Sequence, residues 1–185
     1  MNTAELYKLY LQNPSIQTDT RKLTKGDIFL ALKGPHFNGN TFALQALNNG
    51  ASYAIVDDPA IVHDKCIWVE DTLVALQQLA KHHRLQYDIP FIAITGSNGK
   101  TTTKELIRTV LKRRYKTFAT EGNLNNHIGV PLTILKIKQD AEIAIIEMGA
   151  NHLREIASYC EIAIPSYGII TNCIISYVSI SREKI

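Results

Sequence analysis

Long apolar runs are missing from this sequence. No stretch approaches the roughly 18 residues needed to cross a bilayer, so no membrane insertion is expected. The opening Met1-Asn2-Thr3-Ala4-Glu5-Leu6 lacks the basic-then-apolar layout of a secretion signal. Cysteine is scarce: Cys66, Cys160 and Cys173 form no CxxC pair and are odd in number. They are expected to be buried free thiols in a reducing cytoplasm rather than a disulfide framework. Charge of one sign is also lacking. Twenty Lys and Arg against 17 Asp and Glu leave a net charge of +3, too little to indicate a nucleic-acid partner. No histidines or cysteines have zinc-ligand spacing, and no G-x-S-x-G nucleophile elbow occurs. Internal repeats and low-complexity tracts are absent. What is present is the composition of a globular protein: 185 residues, 45% hydrophobic and 20% charged, with a mean hydropathy of −0.05. That excludes intrinsic disorder and fibrous folds.

Alternating helix and strand signals run along the chain and predict an α/β fold with parallel strands. Residues 27–32, 54–56 and 67–69 read as strands. Residues 41–49 read as a helix stopped by Gly50, and Thr72 to Tyr87 as a helix with Leu73, Leu76, Leu79 and Ala80 on one face. Asp88-Ile89-Pro90 punctuates the chain before a new apolar run at Phe91-Ile92-Ala93-Ile94. A domain boundary is therefore expected near residue 88, with a small α/β domain over 1–87 and a second sheet beginning after it.

The most informative stretch follows that run: Thr95-Gly96-Ser97-Asn98-Gly99-Lys100-Thr101-Thr102. An apolar strand enters a glycine-containing loop, and an amphipathic helix, read as Lys104 to Tyr115, leaves it. This order builds a phosphate site. Gly96 and Gly99 let backbone N–H groups curl around anionic oxygens, and the helix N-terminus adds its positive dipole end. Lys100 reaches the β- and γ-phosphates, and the Thr101 hydroxyl can ligate Mg²⁺. The loop departs from GxxxxGK[ST] because Ile94 stands where the first glycine belongs. The apolar strand 142–147 ends in Glu147, a carboxylate well placed to hold Mg²⁺ beside such a loop. The nucleotide-binding set is thus Gly96, Ser97, Asn98, Gly99, Lys100, Thr101 and Thr102. Lys100 and Glu147 are the catalytic candidates, with Thr101 and Glu147 as metal ligands. The basic residues Lys104, Arg108, Lys112, Arg113, Arg114 and Lys116 read as a solvated face. Leu106, Ile107, Val110 and Leu111 are expected to hold the helix to its sheet.

The loop resembles the nucleotide loop of the Mur ligases, which shares the missing first glycine. The similarity extends outward. Asp19-Thr20-Arg21 and the segment 26–34 look like that family's N-terminal uridine-nucleotide-binding domain, as do 37–42 and 50–54. The segments Gly122 to Thr133 and Glu147 to His152 are similar to the branch that adds D-alanyl-D-alanine. The resemblance covers residues 3–172. It implies an incomplete P-loop domain over 88–172 and an ATP-dependent, amide-forming step of peptidoglycan-precursor synthesis in the cytoplasm. Its implied substrates are UDP-N-acetylmuramoyl-tripeptide and D-alanyl-D-alanine. On this resemblance Asp19, Thr20, Arg21, Lys33 and Gly34 anchor the UDP end, and Asn125 and Asn126 lie near the acceptor. Read from the residues alone, the Asp19 turn and the asparagine loop are structural, an Asx-type turn and a backbone cap.

The pattern also departs from the family. Asn38 and Asn40 replace an acidic residue and a histidine, and Leu153-Arg154 stands where Pro-Gly is usual. After Asn172 the family continues with a glycine and an Ala-His-Leu-Glu segment. Residues 173–185 instead read as a divergent tail, such as a frameshift would produce. The expectation is a truncated ligase without turnover by itself. Two other readings remain: a short non-catalytic nucleotide- or UDP-sugar-binding module, and a different P-loop enzyme such as a folate-polyglutamate ligase relative or a small kinase.

Overall fold

The computed structural model describes residues 1–152 and 154–173. The expectation for the tail therefore concerns, from residue 174 on, positions outside the described residues, and Leu153 lies outside them too.

Helix α1 (Thr3–Gln12) opens with a reciprocal cap in which Asn2 Oδ1 accepts from the Glu5 N–H and Glu5 accepts from the Asn2 N–H. Strands β1 (Ile16–Gln17), β2 (Ile28–Leu30), β5 (Tyr53–Val56) and β6 (Cys66–Trp68) form a parallel sheet in the order β1-β2-β5-β6. Between β2 and β5 lie a short antiparallel ribbon, β3 (Lys33–Gly34) with β4 (Phe37–Asn38), and helix α2 (Ala43–Asn48). The helix expected over 41–49 is split: Asn38 Oδ1 accepts from the Asn40 N–H and starts a 3₁₀ turn, Gly39–Phe42, ahead of α2.

Helix α3 (Thr72–Arg84) joins the two halves. It ends three residues before the expected Tyr87. The N–H groups of Gln86 and Tyr87 close tight turns onto the His83 and Arg84 carbonyls, and the Arg84 guanidinium takes the Tyr87 carbonyl at 2.8 Å. The same guanidinium donates to the Ala163 and Ile164 carbonyls at 2.8 and 3.0 Å and lies 3.8 Å from the Phe91 ring centre. One buried cation thus fastens α3 to the second half of the chain.

That half contains β7 (Phe91–Thr95), α4 (Lys100–Leu111), β8 (Thr117–Ala119), α5 (Gly129–Leu135), β9 (Ile143–Glu147), α6 (Glu155–Ala163) and β10 (Tyr167–Ile170). Its sheet is parallel throughout, in the order β10-β7-β9-β8. The chain runs from β7 to one side, then returns to place β10 on the other. The carboxyl end of β7 is therefore a topological switch point, where open α/β sheets bind ligands. β10 forms one edge of the described sheet, with Tyr167 and Ile170 exposed.

A continuous apolar core links Leu6 and Tyr10 of α1, Ile28 and Ile55 of the first sheet, and Leu76 and Leu79 of α3. It continues through Val130 and Ile134 of α5 to Phe91 and Ile146 of the second sheet. Residues Ile94, Ile145, Ile107 and Leu111 form a smaller cluster beneath α4.

Two expectations about α4 are corrected. It begins at Lys100, four residues early, because Gly99 at φ +80° turns the chain straight from the loop into the helix. Leu106 and Val110 do not face the sheet; they are 65% and 68% exposed. The inward stripe is Lys104, which is buried, with Ile107 and Leu111 half-buried, spaced three and four apart, and Leu106 and Val110 lie off it. The cysteines also differ from expectation: all are free, but Cys66 and Cys160 are only half-buried and Cys173 is exposed.

Candidate functional site

The loop 96–99 hangs between the carboxyl end of β7 and α4, tied down by the segment after β10. The Ser97 N–H donates to the Asn172 carbonyl at 3.1 Å, and the Asn98 N–H to Asn172 Oδ1 at 2.8 Å. The Thr171 hydroxyl donates to the Asn98 carbonyl at 2.5 Å. Gly96 sits at φ +135°. A Cβ there would collide with Thr171 Oγ1 and come within 2.8 Å of the Asn172 carbonyl oxygen, so this turn requires glycine. Lys100 folds back over the loop, its Nζ 2.6 Å from the Gly96 carbonyl and 3.4 Å from that of Ser97. Thr101 and Thr102 lie exposed in the first turn of α4.

Glu147, at the end of β9, is buried, 2% exposed. Its Oε1 accepts from the Thr101 hydroxyl at 3.2 Å and from Asn125 Nδ2 at 2.9 Å. Three residues singled out in the sequence, Thr101, Asn125 and Glu147, therefore meet at one point beside the loop. Oε2 is buried with no hydrogen-bond partner among the described residues; the Lys104 ammonium lies 3.5 Å away. Asn126 is not brought to this point. Its Oδ1 accepts from the Ile128 and Gly129 N–H groups at 3.1 and 2.7 Å, just ahead of α5.

A second concavity of about 530 Å³ lies beside the first sheet, lined by Thr18, Asp19, Thr20, Arg21, Phe29, Phe37, Phe42 and Gln45. Asp19 forms an Asx turn, accepting from the Arg21 N–H at 3.0 Å, and grips the Arg21 side chain through both carboxylate oxygens at 2.9 and 2.8 Å. These Arg21 hydrogen bonds hold the Asp19 pKa down to about 2. Lys33 turns to Asp57 at 3.0 Å, and Asn40 donates to the same carboxylate at 2.6 Å. Burial would raise the Asp57 pKa, but the Asn40 and Lys33 hydrogen bonds outweigh it and the pKa is lowered. Gly34 is exposed, and a Cβ there would meet nothing within 4 Å.

Sequence reasoning missed the Phe37–Phe42 stack, 5.7 Å between centroids and 14° between planes, which forms a flat wall of this concavity. The signal was present as two aromatics flanking a polar turn. Asp57 and the buried Lys104 were missed as well. Among the described residues no group of three or more His, Cys, Asp or Glu could hold a metal, and no helix is long and apolar enough to cross a membrane.

Comparison with known proteins agrees with this geometry. The family described as "Mur ligase family, catalytic domain" matches residues 14–84, and the "Mur ligase middle domain" matches 94–174. The UDP-N-acetylmuramoyl-tripeptide–D-alanyl-D-alanine ligase of Bacillus subtilis (strain 168) is 43% identical over 183 residues, 92% of this chain and 40% of the relative. Its counterpart in Synechocystis is 46% identical over 161 residues, 85% of this chain and 36% of the relative. The crystal structure of MurF from Acinetobacter baumannii superposes with a TM-score of 0.80 at 38% identity, over 88% of this chain and 39% of that one. MurF ligase from Thermotoga maritima, solved in complex with ADP, gives a TM-score of 0.80 at 34% identity, over 88% and 38%. The chain thus spans 36–40% of the length of these relatives. With two domain models matched in order and likeness to these structures over 88% of its length, the chain belongs to the Mur ligase family, carrying its N-terminal and middle domains.

Proposed function

We propose that the chain carries the nucleotide-handling part of an ATP-dependent ligase that joins D-alanyl-D-alanine to UDP-N-acetylmuramoyl-tripeptide in the cytoplasm. Residues 1–87 take the UDP end and 88–172 the ATP. The observation carrying this reading is the meeting of Thr101, Asn125 and Glu147 beside the glycine loop.

In the reaction a peptide carboxylate attacks the γ-phosphorus of ATP, ADP leaves, and an acyl phosphate forms. The dipeptide amine then attacks the acyl carbon; phosphate leaves, the amine loses a proton and an amide results. The loop's task is to bind and orient. The N–H groups of α4's first turn face the phosphates, and Lys100 reaches toward the transferring oxygens instead of the Gly96 carbonyl. Thr101 and Glu147 fit a magnesium ion, which usually takes one or two protein oxygens and fills the rest from phosphate and water. Oε2 of Glu147 is buried and faces the Lys104 ammonium at 3.5 Å, which leaves Oε1, beside the Thr101 hydroxyl, as the oxygen offered to the ion. A magnesium ion held there would supply charge neutralisation on the phosphoryl group. Asn125 fixes the Glu147 carboxylate. The wall of Phe37 and Phe42 gives a uracil base a stacking surface, while Thr18, Thr20 and Arg21 offer donors to the nucleotide's polar groups.

A second reading, a binding module without turnover, is favoured by the presence of both concavity and loop within the described residues. The test is a melting-temperature series on the full chain with ATP and magnesium, with UDP-N-acetylmuramoyl-tripeptide, and with folate. Separate protection by the first two supports the assignment, by ligand linkage; protection by folate instead would sink it. Amide formation from ATP and both substrates separates the two readings. The first expects it only where the rest of the ligase is supplied, and the second expects none in either case.

A further inference from the structure

Lys104 stands where a lysine is costly. It occupies the buried stripe of α4 with 2% of its surface exposed, and a buried ammonium is tolerated only when paired and hydrogen-bonded. Its Nζ donates to the Thr120 carbonyl at 2.7 Å, lies 3.3 Å from Glu105 Oε1 and 3.5 Å from Glu147 Oε2. Thr120 completes the cluster, its Oγ1 accepting from the Glu147 N–H at 2.9 Å. Helix α4 and strands β8 and β9 are joined here. The two oxygens of Glu147 are thus divided: Oε1 faces Thr101 and Asn125, and Oε2 faces Lys104. Glu105 has another cation in Arg108 at 3.3 Å and is half-exposed to water. Glu147, buried, has no other cation beside it among the described residues.

We infer that Lys104 is a positioning residue for Glu147. Its ammonium balances the buried carboxylate when no metal is bound and keeps Oε1 directed at Thr101, so that a divalent cation enters only together with nucleotide phosphates. This rests on the reading of Glu147 as a magnesium ligand. The physical reason is charge. Magnesium gives up its water reluctantly and needs concentrated negative oxygen. A carboxylate already neutralised by a lysine offers it little; the phosphates of ATP supply the remainder. Without the ammonium, the buried carboxylate is uncompensated and recruits a cation by itself.

The test uses the full chain, freed of divalent ions and melted at constant ionic strength. About 10 mM MgCl₂ without nucleotide is expected to leave the wild type unmoved. In Lys104→Met it should raise the melting temperature by about 3–6 °C, a roughly tenfold gain in folded over unfolded protein. No magnesium response in the variant, or an equal one in the wild type, overturns the assignment. If Lys104→Met does not fold, Lys104→Met/Glu147→Gln decides. Recovery of folding supports the pairing, and continued failure shows that Lys104 serves Thr120 and packing instead. The nucleotide reading fails separately, if ATP with magnesium gives the wild type no protection; the response of Lys104→Met to magnesium alone then still decides the pairing.

Discussion

Replacing Gly96 by alanine strikes the phosphate loop where the backbone leaves least room. At φ +135° a residue with a Cβ is strained by about 1–3 kcal/mol. The added methyl would also collide with Thr171 Oγ1 and approach the Asn172 nitrogen and oxygen at 3.0 and 2.8 Å. Asn172 is the anchor of the loop, holding the Ser97 and Asn98 N–H groups. Displacing it forfeits two hydrogen bonds at about 1 kcal/mol each. The expected loss is about 3–5 kcal/mol, which for a chain of this size lowers the melting temperature by on the order of 10 °C. Because the loop leads directly into the first turn of α4, whose N–H groups are the ones proposed to face phosphate, calorimetric titration with ATP and magnesium should show at least a roughly tenfold weaker affinity, since a misplaced loop loses about 1.4 kcal/mol or more of binding. An alanine variant that melts with the wild type and binds ATP as tightly would refute the argument, because it would mean the loop geometry does not determine the site.

Other consequences are smaller but as specific. Phe37→Ala removes half of the aromatic wall while Phe37 is already 51% exposed. Calorimetry should show UDP binding weakened roughly 5- to 100-fold, the usual worth of one base stack, with little change in melting temperature. Arg154 adopts φ +63° at a position where the family pattern has glycine. Arg154→Gly should therefore stabilise the chain, by about 1 kcal/mol in urea denaturation. His83 is buried, with its Nε2 3.1 Å from the Ile137 carbonyl and its Nδ1 3.0 Å from the Tyr7 hydroxyl. The carbonyl can only accept, so Nε2 carries the proton and Nδ1 accepts from Tyr7. Burial lowers its pKa below the ordinary value. The unfolded chain then takes up the proton first: stability is full above pH about 6.5 and is lost as pH falls toward the folded value. Melting curves from pH about 7.5 to 5.5 should show that loss in the wild type and a shallower one in His83→Gln.

The glycine loop was readable in the sequence because its pattern is local: strand, Gly96, Gly99, Lys100 and Thr101 fall within a few positions of one another. Glu147 stood out only beside Lys100 and Thr101, since a carboxylate ending an apolar run is as often a turn residue. The failures have a common cause in tertiary packing. Leu106 and Val110 satisfied a helical apolar pattern, but Lys104 took the inward position once Glu147 and the Thr120 carbonyl were there to pair it. No window of the sequence around α4 contains those partners, which lie on β9 and just after β8. The role of Arg84 was not legible either, because its three carbonyl acceptors come from Tyr87, Ala163 and Ile164. Asn125 and Asn126 are indistinguishable by type. One turns to Glu147 and the other to the start of α5 because the chain bends between them.

The most direct test of the central claim is titration of the full chain with ATP, with and without magnesium, beside Lys100→Ala. Saturable one-to-one binding that strengthens with magnesium and is lost in Lys100→Ala is the predicted result. Binding that ignores both magnesium and Lys100, or no binding at all, contradicts the assignment of residues 96–102 and Glu147 as a nucleotide site.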